Sequence, residues 1–311
     1  MEMSLPIKCD LPKGYLEEEV RCGYTISSMM KKVWAVEIDL LREFDRVCHD
    51  NQIEYMACAG TMLGAVRHGG FIPWDDDIDL MMTWPNYEKL CRIGSKEFQD
   101  PYFFQTDITD RGSIRGHVQI RNSRTTAIRS VELDKKYSFN QGIFIDVFCL
   151  DHIPDDSAEK ERYFETVKKR KKSLFRMAKY TYRYTETMRN MSHGLMKPVK
   201  GLLSSLLKAF KAEEKAYQRF ESAMHRYNNV KTNQMGLVSI IKVGGKYCWE
   251  TDDLESELVN MQFEFVEIPI PSNYDSLLKK TYGNWEEYVV GAGNHGELII
   301  DANKSFNNYL K

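Results

Sequence analysis

A continuous apolar run that contains a single acid, Gly142 to Leu150 (GIFIDVFCL), constrains the fold of this chain most strongly. Apolar side chains on both faces are typical of a strand that is buried in the middle of a sheet. A carboxylate such as Asp146, placed inside that strand, loses much of its hydration and needs a compensating partner. The run therefore predicts a central strand whose acid shares a metal ion, with a hydrogen bond to a nearby turn as the alternative.

A second group of acids follows a glycine-rich stretch, Gly60 to Leu80 (GTMLGAVRHGGFIPWDDDIDL). Its acids are Asp75, Asp76, Asp77 and Asp79, four within five positions. Crowded carboxylates oppose one another's ionisation unless cations or hydrogen bonds offset the repulsion. A hard divalent cation is the natural offset, because carboxylate oxygens are its preferred ligands.

Two of these acids are the best candidates for metal ligands. If residues 78–82 form a strand, Asp77 and Asp79 point to the same face, while the apolar residues between and after them point into the core. Two carboxylates on one face of a rigid strand can bind Mg²⁺, or a metal pair that bridges phosphates. For Asp75 and Asp76, a solvated loop is the main alternative.

The residues that precede the acids are suited to bind phosphate. Gly60 and Thr61 stand after an expected strand and before an expected helix, where amide donors and a hydroxyl meet phosphate oxygens. Arg67 and His68 follow in the same stretch and can counter phosphate charge, Arg67 with two parallel hydrogen bonds. Glycines alone are weak support, but glycines followed by acids in this order are much more specific.

The wider pattern of apolar residues predicts an α+β fold. It indicates helices over 25–50, 85–98, 213–229 and 271–282, and strands over 53–59, 78–82, 142–150, 237–242 and 263–270. A hairpin is predicted from Val118 to Ile128, and Asp156 is a suitable N-cap for a long basic helix. Because strands and helices alternate irregularly, we expect a mixed sheet.

Charge is distributed very unevenly along the chain. Residues 160–211 contain 15 Lys and Arg but three Glu, a balance of +12, which leaves −14 on the rest of a chain with a formal net charge of −2. This asymmetry predicts a basic arm next to an acidic body. The arm is either a solvated helical face or a surface that contacts something anionic.

Within the arm, the apolar residues after Pro198 follow helical spacing. They are Leu202, Leu203, Leu206, Leu207 and Phe210, with Lys200, Lys208 and Lys211 among them. A short basic, amphipathic helix of this kind lies in a bilayer interface or packs its apolar face on the protein core.

Composition excludes several classes of protein. With 42% apolar and 12% aromatic residues, the chain is not disordered. No apolar run reaches the ~18 residues that cross a bilayer, and the first residues lack the apolar segment of a signal peptide. Seven cysteines without CxxC or Cys/His ligand spacing indicate reduced thiols rather than a disulfide scaffold or structural zinc. We therefore expect a cytoplasmic protein.

These motifs resemble those of the LicD family, to which phosphocholine transferases and fukutin-type proteins belong. The stretch 60–80 resembles the family signature, 119–126 (QIRNSRTT) its basic hairpin, 142–151 (GIFIDVFCLD) its third-acid strand, and 263–283 (FEFVEIPIPSNYDSLLKKTYG) its C-terminal block. The resemblance spans roughly 37–283. The sequence departs from the family after Gly283, where no prolines follow.

The resemblance implies a nucleotidyltransferase-like fold, a mixed sheet flanked by helices. The family signature does not predict the basic arm, which we expect to be a helical insertion particular to this chain. We predict three regions: 1–157 as the catalytic core, 158–230 as the basic helical segment, and 231–311 as the C-terminal α/β part that completes the core. By resemblance, Asp77 and Asp79 are the paired metal acids and Asp146 is the third. All three are expected to be catalytic and to hold Mg²⁺, with Mn²⁺ as the second candidate.

The resemblance further implies a transfer reaction. Phosphocholine, or another phospho-alcohol, would pass from CDP-choline or another CDP-alcohol to a hydroxyl of a cell-surface glycan precursor, free or lipid-linked, with release of CMP. Substrate contacts are expected from Gly60, Thr61, Arg67, His68, Trp74, Asp75, Asp76 and Arg121. Trp74 would stack on a base or on the choline ammonium, with a core tryptophan as the alternative. For Arg121 the alternative is a residue on a surface strand.

Two other functions remain open. A true nucleotidyltransferase shares the acids but attaches a nucleoside monophosphate and releases pyrophosphate. The basic arm, in which aromatic residues alternate with Lys and Arg, is also typical of binding to nucleic acid or to a membrane. No nucleic-acid-binding motif accompanies it, so nucleic acid is not a favoured partner. If the acceptor is lipid-linked, 160–211 predicts peripheral contact with the inner face of the membrane.

Overall fold

The computed structural model of this chain describes residues 4–183, 196–240, 245, 247–290 and 298–310. The α-helices of this part are α1 (Ser28–Asp50), α2 (Ala59–His68), α3 (Trp84–Glu97), α4 (Ser130–Leu133), α5 (Ser157–Tyr180), α6 (Met196–Ala209), α7 (Ala212–Met224), α8 (Thr251–Leu254) and α9 (Tyr274–Tyr282). The helices predicted over 25–50, 85–98, 213–229 and 271–282 correspond to α1, α3, α7 and α9.

Thirteen strands are found among the described residues. They are β1 (Glu19–Arg21), β2 (Tyr24–Ile26), β3 (Met56–Ala57), β4 (Asp79–Thr83), β5 (Tyr102–Gln105), β6 (Val118–Asn122), β7 (Thr126–Arg129), β8 (Phe144–Ile153), β9 (Gln234–Gly236), β10 (Cys248–Glu250), β11 (Leu258–Phe263), β12 (Val266–Pro271) and β13 (Leu298–Asp301). Seven of them form one sheet in the order β10-β9-β8-β4-β3, with β6 also paired to β8 and β5 to β6.

Strand β8 is the centre of this sheet, as its apolar run predicts. It pairs in parallel with β4 and antiparallel with both β6 and β9, so the sheet is mixed. All its residues except Phe144 and His152 are buried. The prediction of a mixed sheet flanked by helices is therefore confirmed.

Helix α1 supports the sheet. The Ser27 side chain accepts a hydrogen bond from Met30 N and so caps the helix. The apolar stripe that follows is buried, including Trp34, Ile38 and Phe44, and Glu37 is buried within it. Since α1 contacts β6 and β8, this one acid of the stripe lies beneath the centre of the sheet.

The described residues contain two hydrophobic clusters. The larger unites α1, the main sheet and C-terminal residues such as Trp249, Ile268 and Leu277. The smaller joins α5 to α7, for example through Phe164 and Phe220. The region boundaries at 157 and 230 stay a prediction, although the C-terminal residues do pack into the larger cluster.

Three strand predictions need correction. The hairpin over 118–128 is wrong, because β6 pairs with β5 and β8 while β7 pairs with β13. The strand expected over 53–59 is reduced to the two residues of β3. The strand expected over 237–242 is wrong for its described residues 237–240, because the nearby strand β9 ends at Gly236; residues 241 and 242 lie outside the described part of the chain.

The expected cap of the basic helix is confirmed. The Asp156 side chain accepts a hydrogen bond from Glu159 N, 2.8 Å away, and α5 continues for 24 residues. Residues 184–195 of the basic arm lie outside the described residues, and the arm resumes as α6. The arm is thus helical on both sides of that gap.

Candidate active site

A cavity of about 900 Å³ opens over the main sheet, next to α2 and the beginning of β4. It is lined by five acids (Asp75, Asp77, Asp79, Asp146, Glu287), three arginines (Arg67, Arg115, Arg129) and six aromatic residues (Trp74, Phe144, Phe148, Tyr247, Tyr282, Trp285). Gly60 lines it too. The structure therefore brings together the three acids predicted to bind metal, although Asp146 is separated from the other two by more than 60 residues.

Strand pairing fixes two of these acids side by side. Asp79 of β4 and Asp146 of β8 are register partners in the parallel ladder. Register partners on neighbouring strands point to the same face of the sheet, and the strands lie roughly 4.8 Å apart. Asp77 precedes β4, which begins at Asp79 rather than at Ile78, so it enters the cavity from the loop and not from the strand.

Asp146 is held by two residues of the β6 side. His117 Nε2 and Gln119 Nε2 lie 3.0 and 2.5 Å from its Oδ1 atom. Gln119 in turn accepts a hydrogen bond from Arg121 Nη2. The carboxylate is therefore oriented by a chain of side chains that runs back into the sheet.

Arg121 itself lies behind the cavity and does not line it. Its side chain is 1% exposed and donates to Gln105 Oε1 and Gly142 O, each at 2.6 Å, in addition to Gln119. Burial lowers the pKa of Arg121 to about 9. The structure thus places Arg121 where it positions Gln119, whereas Arg115 and Arg129 line the space in which a phosphate would sit.

The electrostatics of the acids favour a cation. Burial raises the pKa of Asp77 well above its usual range, and the charges of Asp79 and Asp75 raise it further. The pKa of Glu37, 2% exposed, is raised well above its usual range by burial and then by Asp76 and Asp75. Without a counter-charge, these carboxyl groups resist ionisation together.

The donor set fits a hard divalent metal ion. One carboxylate oxygen from each of Asp75, Asp76 and Asp77 lies within 4.8 Å of the others. Oxygen-only ligands of this kind suit Mg²⁺ or Mn²⁺. Asp79 and Asp146 line the same cavity, but in the described part of the chain the group within 4.8 Å consists of Asp75, Asp76 and Asp77, so the expected set of Asp77, Asp79 and Asp146 stays a prediction.

The glycine-rich stretch shapes the site from α2. A Cβ atom at Gly60 would lie 2.6 Å from Asp75 Oδ2, so a larger residue would displace the Asp75 carboxylate from its present position. Thr61 is buried, does not line the cavity, and accepts a hydrogen bond from Asp79 N at 2.8 Å. Its hydroxyl thus fixes the beginning of β4. Ala59, which lines the cavity, has a φ of 46°, a strained value for a residue with a Cβ.

Arg67 and His68 are tied to the segment that follows α9. Arg67 Nη1 donates to the carbonyl oxygens of Trp285 and Glu287, at 2.6 and 2.9 Å, and its Nε donates to His68 Nε2 at 3.0 Å. Burial and the neighbouring Arg67 charge lower the pKa of His68 to about 4. Arg67 lines the cavity, whereas His68 stands behind it as a neutral acceptor.

Trp74 serves both as a packing residue and as part of the cavity wall. It packs against the larger hydrophobic cluster, and its ring lies edge-on to Tyr24 with centroids 6.0 Å apart. The next residue, Asp75, is held through its carbonyl oxygen by Trp34 Nε1 at 3.0 Å. The acidic loop is therefore fixed to α1 on the side away from the cavity.

Several site residues were missed by the sequence reasoning. His117 and Gln119 are two of them: they alternate with the apolar Val118 and Ile120, in the same period of two as Arg121, which was expected as a substrate contact. That alternation was the available signal. Nothing in the local sequence marks Arg129, Tyr247 or Trp285, because distant segments bring them to the cavity. His295, in the tail after Gly283, lies outside the described residues.

Comparison with known proteins agrees with this geometry. Residues 52–175 match the LicD/FKTN/FKRP nucleotidyltransferase domain. Over 249 residues the chain is 24% identical to the lipopolysaccharide cholinephosphotransferase LicD of Haemophilus influenzae, a match that covers 80% of this chain and 88% of that protein. Uncharacterized proteins of Rickettsia prowazekii and Rickettsia typhi are each 46% identical over 41 residues, 13% of this chain and 15% and 13% of theirs.

The matched segment contains α2, β4 and β8, and with them Asp77, Asp79 and Asp146. It thus covers the elements that form the acidic side of the cavity. Over residues 52–175, this chain is thus similar to the LicD/FKTN/FKRP nucleotidyltransferase domains.

Proposed function

We propose that this enzyme transfers phosphocholine from CDP-choline to a hydroxyl of a glycan and releases CMP. The observation that carries the proposal is the convergence of Asp77, Asp79 and Asp146 on one cavity that also contains arginines and aromatic rings. The family and the cholinephosphotransferase relative support the same reaction class.

The cavity offers separate groups for the two charges of the donor. Arg67, Arg115 and Arg129 provide guanidinium groups for the diphosphate. Trp74, Tyr247 and Trp285 provide ring faces for the quaternary ammonium of choline, which binds aromatic rings by cation–π attraction. Uncharged glycerol and ribitol would gain nothing from such rings, so this lining favours choline as the transferred alcohol.

The carboxylates of Asp77 and Asp79 would hold Mg²⁺, and Asp146 would be a third ligand of the same ion. When bound, that ion neutralises negative charge that develops on the diphosphate during transfer. Thr61 keeps Asp79 in place, and the His117–Gln119 pair keeps Asp146 in place. Positioning and electrostatics therefore supply most of the rate, as in other phosphoryl transfers.

Bond changes in the reaction are simple. The acceptor oxygen forms a bond to the phosphorus of the phosphocholine group, and the bond from that phosphorus to the bridging oxygen breaks. CMP leaves with the electron pair of the broken bond. The proton of the acceptor hydroxyl passes to the Asp146 carboxylate, which is the base we assign because it faces the same cavity.

The test is incubation of the purified chain with Mg²⁺ and a panel of CDP-choline, CDP-glycerol and CDP-ribitol, with and without a glycan acceptor such as lipopolysaccharide. We expect CMP release to depend on the acceptor and to be fastest with CDP-choline. Asp79→Asn should lower kcat by at least about 100-fold, since it removes one of the paired acids. The matched control is Asp252→Asn, which changes an exposed acid of α8 in the same way.

Near-wild-type transfer by Asp79→Asn, with Mg²⁺ present, would contradict the metal assignment. The second candidate function, nucleotidyl transfer, is favoured by the family's domain type. Mass spectrometry of the acceptor separates the two, because one product gains phosphocholine and the other gains a nucleoside monophosphate. Pyrophosphate release from a nucleoside triphosphate would replace our proposal by this alternative.

A further inference from the structure

Helix α6 and Phe210, the residue that follows it, present a row of apolar side chains to solvent. Val199, Leu202, Leu203, Leu206 and Phe210 are between 43% and 68% exposed. Their spacing of three, four, seven and eleven residues from Val199 places them on one face of the helix. We call these five residues the apolar stripe.

The apolar stripe is not the face by which α6 contacts the protein. Ser204 of the same helix is 7% exposed, and α6 contacts both α5 and α7. Lys208 Nζ also lies 5.1 Å from the ring centroid of Tyr182, just after α5. The sequence allowed two arrangements of this helix, with its apolar face either in a bilayer interface or packed on the protein core. For the apolar stripe, packing on the core is wrong. Its apolar side chains face away from the protein.

Helix α5 carries a face of complementary character. Lys168, Lys172, Phe175 and Lys179 are exposed and recur at four, seven and eleven residues, which again defines one face. We call these four residues the basic stripe. Of the five consecutive cations 168–172, Lys171 is instead turned inward, where its Nζ donates to Ser239 O at 2.6 Å. The cations of the basic stripe are thus exposed to solvent.

We propose that α5 and α6 dock this protein on an anionic lipid bilayer. Leucine and phenylalanine side chains of the apolar stripe would enter the headgroup region, while lysines of the basic stripe meet lipid phosphates. Among the described residues, no helix is both long and apolar enough to cross a membrane, so the contact is with the interface. The proposal is independent of the catalytic assignment, because lipid binding is measured without turnover.

Charge argues for a bilayer over the other occupants of such a face. A second copy of the chain would set one +12 segment against another and repel it. A nucleic acid would satisfy the lysines but would leave five large apolar side chains in water. An anionic bilayer surface is the partner that accommodates both stripes.

The experiment is co-sedimentation of the purified chain with vesicles of phosphatidylcholine alone or mixed with phosphatidylglycerol. We expect binding to the anionic vesicles that is at least about 10-fold stronger than to the neutral ones and that weakens as salt is raised. Leu202→Glu with Leu206→Glu should weaken it by at least about 10-fold. Ser205→Glu, which adds charge at an exposed position of α6 outside the apolar stripe, is the matched control and should bind nearly as wild type does.

A second variant tests the basic stripe. Lys168→Gln, Lys172→Gln and Lys179→Gln together should abolish the preference for anionic vesicles, with circular dichroism confirming that the helices persist. Equal binding to both vesicles, no binding to either, or an unchanged affinity of the leucine variant would overturn the proposal. So would light scattering that shows a dimer which the leucine variant dissociates.

Discussion

At the scale of single residues, Glu37 is the most unusual side chain of the site. It lies among the buried apolar residues of α1 and is 2% exposed. Its Oε2 atom has no hydrogen-bond partner among the described residues. Burial and four nearby aspartates raise its pKa well above the usual range. In the folded chain without metal, the neutral carboxyl group of Glu37 is therefore favoured over the carboxylate.

Replacement of Glu37 by Gln should stabilise the metal-free chain in a pH-dependent way. Because the folded pKa of Glu37 is raised, its contribution to stability is full below the unfolded pKa of about 4.3 and is lost as pH rises towards the folded pKa. At pH 7, we expect Glu37→Gln to raise the free energy of unfolding by on the order of 2 kcal/mol. Urea unfolding at pH 4 and pH 7 in EDTA checks this. A gain of equal size at both pH values would refute the explanation.

The sequence predicted individual acids well and their neighbours poorly. Asp146 was identified because a lone carboxylate in an apolar strand needs a partner, and it does have His117 and Gln119. Arg121 looked equally available for phosphate, yet it is buried and directed at Gln119. The sequence shows which residue types lie close together along the chain. Only the pairing of β6 with β8 shows which of their side chains line the cavity.

At the scale of elements, α2 and β4 are joined by one side chain. Thr61 accepts the hydrogen bond of Asp79 N at the point where β4 begins, and Cys58 N donates to Asp79 O at 2.9 Å. These two bonds attach the beginning of the helix to the beginning of the acid-bearing strand. The position of Asp79 thus depends on a hydroxyl that no ligand needs to contact.

Thr61→Val should therefore destabilise the protein. It keeps the shape of the side chain but leaves Asp79 N without its acceptor, which typically costs about 1–3 kcal/mol when the group is buried. Thr61→Ser retains the hydroxyl and should recover most of that loss. Chemical denaturation of the three proteins measures the difference. If Thr61→Ser is as unstable as Thr61→Val, the missing methyl group and not the hydrogen bond is responsible.

The pairing of strands was the part of the fold that could not be predicted from the sequence. Both β6 and β7 lie where strands were expected, but β7 pairs with β13, about 170 positions later. Local turn residues such as Asn122 and Ser123 favour a hairpin, and they are outweighed by contacts that no local pattern encodes. The helices were predicted better because their period is a local property.

At the scale of the whole molecule, the basic segment 160–211 and the rest of the chain carry opposite net charge. The aspartates of the cavity oppose one another's ionisation, and this repulsion opposes folding. If Mg²⁺ binds the folded chain and not the unfolded chain, it should raise the free energy of unfolding by mass action.

Thermal unfolding should respond to Mg²⁺ accordingly. At a concentration roughly 100 times the dissociation constant, the expected gain is about 2.7 kcal/mol, which raises Tm by a few degrees. Asp77→Asn should raise Tm in EDTA, because it removes a carboxyl group whose ionisation is opposed by desolvation and by the neighbouring acids, and it should reduce the gain from Mg²⁺. Differential scanning calorimetry with Na⁺ at matched ionic strength is the control. An equal gain in wild type and variant would exclude Asp77 as a ligand.

The parallel register of Asp79 and Asp146 has a consequence for how such a catalyst diversifies. Slippage of either strand by one position would turn its acid to the opposite side of the sheet, so the floor of the cavity tolerates no insertion. The wall at Trp285 has no such restriction, since this residue lies in a segment outside the helices and strands that can lengthen or be exchanged. New acceptors are therefore expected to arise through remodelled walls above an unaltered floor.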